Sequence, residues 1–161
     1  MTDVTYTDTA TVRRNNTSAV LGNGEAGSAK IVTTTVEVAT GTTGKFYKFA
    51  RIPSDARISG LSTLYWDDLA TSGSPDLDFG LASVDSNITS DPDALNNGLD
   101  ASATGTSSLI ADRANYGKRA WDYVSGQASD PGGELDIYMT TTTASINQAG
   151  TVTLDLVYSL D

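Results

Sequence analysis

The sequence predicts an all-β protein: an antiparallel β-sandwich of about eight strands, jelly-roll-like, with one or two short helices and an extended N-terminal arm. Thr, Ser, Gly and Ala are abundant whereas Lys, Glu and Gln are scarce, and the branched Cβ of Thr suits a pleated strand. Apolar and polar residues alternate in several segments, as in strands with one buried and one wet face. Turn-forming residues recur at intervals of roughly 8–15 residues, a spacing typical of sandwiches and jelly rolls.

The chain of 161 residues suits a single domain. We expect residues 30–161 to form the β-sandwich and residues 1–29 to be an N-terminal arm, because the stretch LGNGEAGSAK is Gly-rich and has no periodicity. Two interpretations of the arm remain open: a short edge strand with a loop, or an extended segment that lies on a partner or a neighbouring subunit. The arm has no apolar stretch of the kind that a secretory signal peptide needs, and no run approaches the roughly 20 apolar residues of a membrane helix.

Four segments alternate regularly and predict strands with an apolar inner face. They are KIVTTTVEVA, DLDFGLASV, ELDIYMT and TVTLDLVYSL. The predicted inward residues are Val32, Thr34, Val36, Val38, Leu77, Phe79, Leu81, Leu135, Ile137, Met139, Val152, Leu154, Leu156 and Tyr158. Residues predicted to face water include Asp76, Asp78, Glu134, Asp136, Tyr138, Thr153 and Asp155.

Two segments predict the short helices. In SDPDALNNG, Asp91 is a candidate N-cap, Pro92 suits the first helical position and Gly98 suits the C-terminal stop. The segment GKRAWDYVSG (residues 117–126) fits either a short helix or a strand, and the helix is the favoured interpretation.

The chain contains no cysteine and no histidine. Disulfides, thiolate metal sites, imidazole zinc ligands and the Ser-His-Asp triad are therefore excluded. The formal net charge of −10 opposes binding to phosphate backbones, so we expect no nucleic-acid partner. We predict no catalytic residues, no cofactor and no enzymatic activity.

The acidic stretch LYWDDLATSGSPDLDFGL (residues 64–81) is the strongest candidate for chemistry. It reads as a β-hairpin with a Ser/Gly/Pro turn. Asp76 and Asp78 lie two residues apart on one face of a strand, roughly 6.5–7 Å from each other, a separation that would suit a glycosidase carboxylate pair. Because both should be solvated, the prediction is a wet face without catalysis. Asp67, Asp68 and Asp76 could together offer oxygen ligands to Ca²⁺, although we predict no metal residue.

Four aromatic residues raise the possibility of a sugar-binding platform: Tyr65, Trp66, Trp121 and Tyr123. The more common role of buried Trp residues is to anchor a core or an interface. An exposed cluster of these rings would favour a module that binds host-surface glycans.

The order of several motifs resembles that of small structural proteins of tailed bacteriophages, often encoded beside the major capsid protein. The resemblance covers about residues 45–160, and no single motif in it is specific. The motifs are Ala50–Arg51–Ile52–Pro53, Trp66–Leu69, Leu77–Gly80, Pro131–Asp136 and Gly150–Tyr158.

The resemblance implies a β-sandwich virion protein of the head decoration or cement type. The expected partners are the phage major capsid protein and further copies of the chain, as a homotrimer, with no membrane partner. The expected location is the surface of the phage head, after synthesis in the host cytoplasm. We expect Arg13 and Arg14 of the arm to contact capsid carboxylates. The alternative is a spike or fibre module that binds host glycans.

Overall fold

The computed structural model describes residues 29–160, which form two antiparallel β-sheets packed face to face. No α-helix is present in this part of the chain, which contains two single turns of 3₁₀-helix, Arg113–Asn115 and Ala120–Tyr123. The strands are β1 (Lys30–Val38), β2 (Phe46–Pro53), β3 (Arg57–Ile58), β4 (Thr63–Trp66), β5 (Asp76–Ser83), β6 (Asp91–Asp100), β7 (Gly105–Ser108), β8 (Glu134–Thr142) and β9 (Gly150–Ser159).

The strand order is that of a jelly roll. The first sheet runs β1-β9-β4-β7, with the two-residue β3 also paired to β9, and the second runs β2-β8-β5-β6. All pairings are antiparallel. The chain crosses repeatedly between the sheets, which is how a jelly roll places strands distant in sequence side by side. The predicted all-β, jelly-roll-like sandwich is confirmed, with nine strands.

The core lies between the sheets and includes the predicted inward residues of β5, β8 and β9. In β1 only Val38 is fully buried, and the prediction that Val32 faces inward is wrong because that end of the strand is exposed. Leu77, Phe79 and Leu81 of β5 are fully buried, as are the inward residues of β8 and β9 apart from a slight exposure of Tyr158. The rings of Phe49 and Phe79 meet across the core with their centroids 5.6 Å apart. Burial of each large apolar side chain contributes roughly 1.5–3 kcal/mol, so this two-layer core supplies most of the driving force for folding.

The predicted hairpin in residues 64–81 is wrong. β4 belongs to the first sheet and β5 to the second, so the intervening residues carry the chain from one sheet to the other. A hairpin and a connection between two sheets would show the same alternation on each side and the same Ser/Gly/Pro turn. Only the pairing of β4 with β9 and β7, and of β5 with β8 and β6, separates them.

The predicted helix beginning at Asp91 is also wrong, because residues 91–100 form β6, the edge strand beside β5. Pro92 can occupy an edge strand, where its missing N–H costs no ladder hydrogen bond. Gly98 has a φ of +74°, a left-handed conformation that the register shifts between β5 and β6 accommodate. Pairing with a buried strand therefore overrides the local helix signals.

The second predicted helix shrinks to one 3₁₀ turn, Ala120–Tyr123, which follows another turn at Arg113–Asn115. Asp112 caps the earlier turn by accepting a hydrogen bond from the backbone N–H of Ala114 at 2.9 Å. Ala120 and Tyr123 are buried, so this segment closes one part of the core without a regular helix.

Candidate interaction surfaces

Arg13 and Arg14, predicted to contact the capsid, lie outside the described residues 29–160, and their role remains a prediction. The predicted division into an arm and a domain at residues 29 and 30 likewise stays a prediction.

The first two acidic residues of the crossover serve its local structure. Asp67 Oδ2 accepts hydrogen bonds from the backbone N–H of Thr151 at 2.7 Å and from its hydroxyl at 2.8 Å. These two bonds lower the pKa of Asp67 below its ordinary value because both stabilise the charged form. Asp68 accepts from the backbone N–H of Ala70 at 3.0 Å. Both carboxylates therefore satisfy backbone donors at the end of β4.

Asp76 and Asp78 lie on the face of β5 opposite the buried Leu77 and Phe79, as predicted. Each accepts from a threonine hydroxyl: Asp76 from Thr143 at 2.6 Å and Asp78 from Thr142 at 3.0 Å. Asp78 also accepts from the backbone N–H of Gly98 at 2.7 Å, which ties β5 to β6 at their irregular register. Within residues 29–160 no group of three or more acidic side chains could hold a metal ion.

The four candidate aromatic residues do not form one exposed platform. Trp66 is buried, and its indole N–H lies 3.2 Å and 3.1 Å from the carbonyl oxygens of Asp100 and Ala103. Tyr123 is also buried and donates to the carbonyl of Asn115 at 2.5 Å. Tyr65 remains exposed and Trp121 is partly buried. Two of the four rings are thus core anchors.

The outer face of the second sheet carries a site that the sequence analysis missed. On this face β8 lies between β2 and β5, and its outward residues Asp136, Tyr138 and Thr140 are nearly as buried as its core residues. The cross-strand rows are Arg51–Asp136–Ala82, Lys48–Tyr138–Gly80 and Phe46–Thr140–Asp78. The prediction that Asp136 and Tyr138 face water is therefore wrong: they point to the outer face but are covered.

Asp136 is held by two cations from β2. Lys48 Nζ lies 2.5 Å from one carboxylate oxygen, and Arg51 donates to both oxygens at 2.8 Å and 3.3 Å. Burial raises the pKa of Asp136, but the hydrogen bonds from Arg51 and Lys48 outweigh it, and the pKa is lowered overall. The same hydrogen bond raises the pKa of Arg51. The site is thus a fixed, charged triad.

Tyr138 is covered because the start of β6 crosses over its neighbour on β5. A Cβ at Gly80 would overlap the carbonyl of Asp91 and the backbone of Pro92, so glycine is required for this close approach. Burial raises the pKa of Tyr138, and the nearby charges of Asp91 and Asp93 raise it further. The crossing forms one wall above the sheet.

The opposite wall is Phe46, whose side chain is 70% exposed. Its ring centroid lies 5.5 Å from that of Tyr138. Between the walls is an open pocket of about 610 Å³, lined by Phe46, Lys48, Pro92, Asp136, Tyr138 and Thr140 among others. The hydroxyl of Thr140 has no hydrogen-bond partner, although it is buried. Buried hydroxyl groups are usually paired, so this oxygen is an exception in the sheet.

The make-up of the pocket resembles that of a protein-binding surface. Apolar rings surround a small number of polar groups, the anatomy of sites where a partner inserts an anchor side chain. Asp136 balances one of the two positive charges of Lys48 and Arg51 and holds both side chains in place. The segments FYKFAR and DIYMT contain the signal, since Phe46, Lys48, Tyr138 and Thr140 share one face by alternation. The burial of Tyr138 depends on β6 and could not be predicted locally.

No helix among residues 29–160 is long and apolar enough to cross a membrane. No protein-family model matches the chain, and no curated protein matches it.

Two solved structures of phage capsids contain a chain with a similar fold. One is described as the cyanophage Pam1 capsid asymmetric unit, with a TM-score of 0.53 and 16% identity over 83% of this chain and 85% of the matched chain. The other is the capsid of Ralstonia phage GP4, with a TM-score of 0.53 and 18% identity over 83% of this chain and 86% of the matched chain. At these identities the likeness is one of fold.

Proposed function

We propose that this protein is a structural component of a bacteriophage virion, and that it decorates the capsid by binding the assembled shell. The observation that carries the proposal is the likeness of its fold to chains of two phage capsids. The match with the Pam1 chain covers 83% of this chain and 85% of that chain. The matched chains are therefore about as long as this one, and the likeness spans a whole domain.

The pocket on the second sheet is the proposed capsid contact within the described residues. Phe46 is exposed beside Tyr138, and the two rings would receive an apolar side chain of the major capsid protein. Aromatic anchors in such positions commonly dominate binding energy. Arg13 and Arg14 are the proposed second contact, pairing with capsid carboxylates as the only basic pair in the first forty residues.

In this mechanism the protein reinforces the shell physically. Each copy buries surface on adjacent capsomers, and many modest contacts add through multivalency. A protein that binds the assembled shell but not free subunits stabilises the shell by mass action. A trimer on local three-fold axes would present three such contacts at once, and no catalytic step is involved.

Sedimentation of purified protein with empty capsid shells tests the pocket contact. Phe46→Ser should weaken the affinity for shells at least about tenfold, as expected for loss of an anchor worth about 1.4 kcal/mol or more. Leu61→Ser is the matched control, because Leu61 is equally exposed, at 75%, but lies in the loop between β3 and β4 of the first sheet. Undiminished binding of Phe46→Ser, or a larger loss for Leu61→Ser, would contradict the assignment of this face.

The same assay tests the arm. Arg13→Glu/Arg14→Glu should weaken shell binding, and the loss should shrink at high salt because exposed charge pairs are screened. Arg113→Glu/Lys118→Glu gives the same change in net charge on the body of the protein and should bind normally. Equal losses for both double variants would indicate general charge repulsion and remove the specific role of the arm.

A further inference from the structure

β1 is an edge strand whose first half is poorly covered. It pairs with β9 along all nine residues, and within residues 29–160 no strand pairs with its other edge. Val38 is fully buried and Val36 partly so, but Val32 on the same face is 36% exposed and Ile31 on the opposite face is 73% exposed. The strand therefore presents free backbone groups together with apolar side chains.

The other three sheet edges carry features that block pairing with a further strand. β2 has Pro53, a register shift after Lys48 and two charged residues. β6 has Pro92, Gly98, three aspartates and two register shifts. β7 is only four residues long. Proline, bulges, charges and shortness are the means by which natural sheets avoid edge-to-edge association.

β1 has none of these features in its middle. Its register with β9 is continuous, and the sequence KIVTTTVEV contains no proline or glycine. Its two charges, Lys30 and Glu37, lie near the ends. A long, regular and mostly uncharged edge of this kind is a template for strand addition.

We propose that β1 pairs antiparallel with β1 of a second copy of this chain, about a two-fold axis that passes beside Thr34. The first sheets of the two copies would then form one continuous sheet. In this register the cross-strand pairs are Lys30 with Val38, Ile31 with Glu37, Val32 with Val36, Thr33 with Thr35, and Thr34 with its own copy.

The self-complementary sequence of β1 argues for a second copy as the partner. A two-fold contact requires each residue to suit its symmetry mate. Here the exposed Val32 gains Val36 of the partner strand on the same face, and threonines meet threonines. Cross-strand pairs between β-branched residues stabilise a sheet. Neither Lys30 nor Glu37 faces a like charge, so the strand lacks the repulsion that would forbid self-pairing.

This contact is independent of capsid binding and of any trimer, because it joins copies in pairs through a different edge. A cysteine probe reads such pairs directly, since the natural chain has no cysteine. Directly opposite residues in an antiparallel pair have Cα atoms about 4.5–5.5 Å apart, within the range that a disulfide spans. Full-length Thr34→Cys should therefore form a disulfide-linked dimer as its main species under mild oxidation. Thr43→Cys, in the exposed loop after β1, should form only traces.

A second variant distinguishes specific pairing from cross-links formed by random encounters between molecules. Thr34→Lys places two ammonium groups opposite each other only in the proposed register, so it should abolish pairing while circular dichroism shows an intact β fold. Sedimentation velocity of the cysteine-free protein, with and without this substitution, measures the loss. Equal cross-linking of Thr34→Cys and Thr43→Cys, absence of any Thr34→Cys dimer, or association unchanged by Thr34→Lys would each overturn the proposal. A monomer at all concentrations would assign the β1 edge to another partner.

Discussion

The behaviour of single residues on the second sheet depends on what covers them. Asp136 occupies an outward position of β8, yet its side chain is only 7% exposed because Lys48 and Arg51 reach across from β2. Alternation in ELDIYMT predicts the direction of this side chain correctly. Alternation cannot predict which neighbouring strands shield the side chain from water. Side chains of β2 shield Asp136, and Pro92 of β6 shields Tyr138.

Replacement of Asp136 tests the energetic role of the triad. Asp136→Asn keeps the volume but removes the charge that both cations bind. We expect the free energy of unfolding at pH 7 to fall by about 1–3 kcal/mol, the usual range for charge-assisted hydrogen bonds. Urea titration measures the change. Glu134→Gln is the control: Glu134 lies 3.8 Å from Arg51 but is exposed, so the expected change is within about 0.5 kcal/mol.

The pH dependence of this difference follows from the lowered pKa of Asp136. A carboxylate whose pKa is lowered in the folded state stabilises it above the unfolded pKa and loses that contribution as the pH falls through the folded value. The difference in stability between wild type and Asp136→Asn should be fully present at neutral pH. It should disappear as the pH falls below 3.8, the ordinary pKa of aspartate. A gap that persists unchanged at lower pH would mean that the charge is not what stabilises this site.

At the scale of elements, β6 is where local signals and tertiary structure disagree. Asp91, Pro92 and Gly98 have the spacing of a capped helix, but a paired edge strand uses the same residues differently. Strands β5, β8 and β9 are predictable because their period of two is unbroken over many residues. In β6 two register shifts break the period, and the partner strand decides the conformation.

Asn96 shows how β6 is held in place. Its side-chain amide donates to the carbonyl of Ser108 at 2.8 Å, which links β6 in the second sheet to β7 in the first, and the residue is 5% exposed. Asn96→Ala removes this hydrogen bond and the one that Asn96 Oδ1 accepts from the backbone N–H of Asn97, so we expect a loss of about 1–3 kcal/mol in the free energy of unfolding.

Asn97→Ala is the matched control for this measurement. Asn97 is the next residue of the same strand, but it is exposed and bonds only to Asp93 through its side chain. Thermal unfolding should show little change for Asn97→Ala and a clear decrease for Asn96→Ala. Similar melting temperatures for the two variants would show that the link between the sheets contributes little.

At the scale of the whole molecule, composition and alternation are enough to predict the jelly-roll sandwich. They do not predict which strands pair: the acidic crossover between β4 and β5 fits a hairpin equally well by sequence. The four aspartates of residues 64–81 also illustrate the limit for sites, because each accepts hydrogen bonds from groups distant in sequence, such as Thr151, or close in sequence, such as Ala70. The pocket between Phe46 and Tyr138 required three strands to be in place before it could be recognised.

The central claim is that this jelly roll decorates a phage capsid. Cryo-electron microscopy of purified virions tests it most directly, because a domain of this size can be located and its orientation fitted. We predict density for the sandwich on the outer surface of the head, with the face that carries Phe46 and Tyr138 turned toward the shell. Density for this protein only at the tail tip, or its absence from the virion, would contradict the claim.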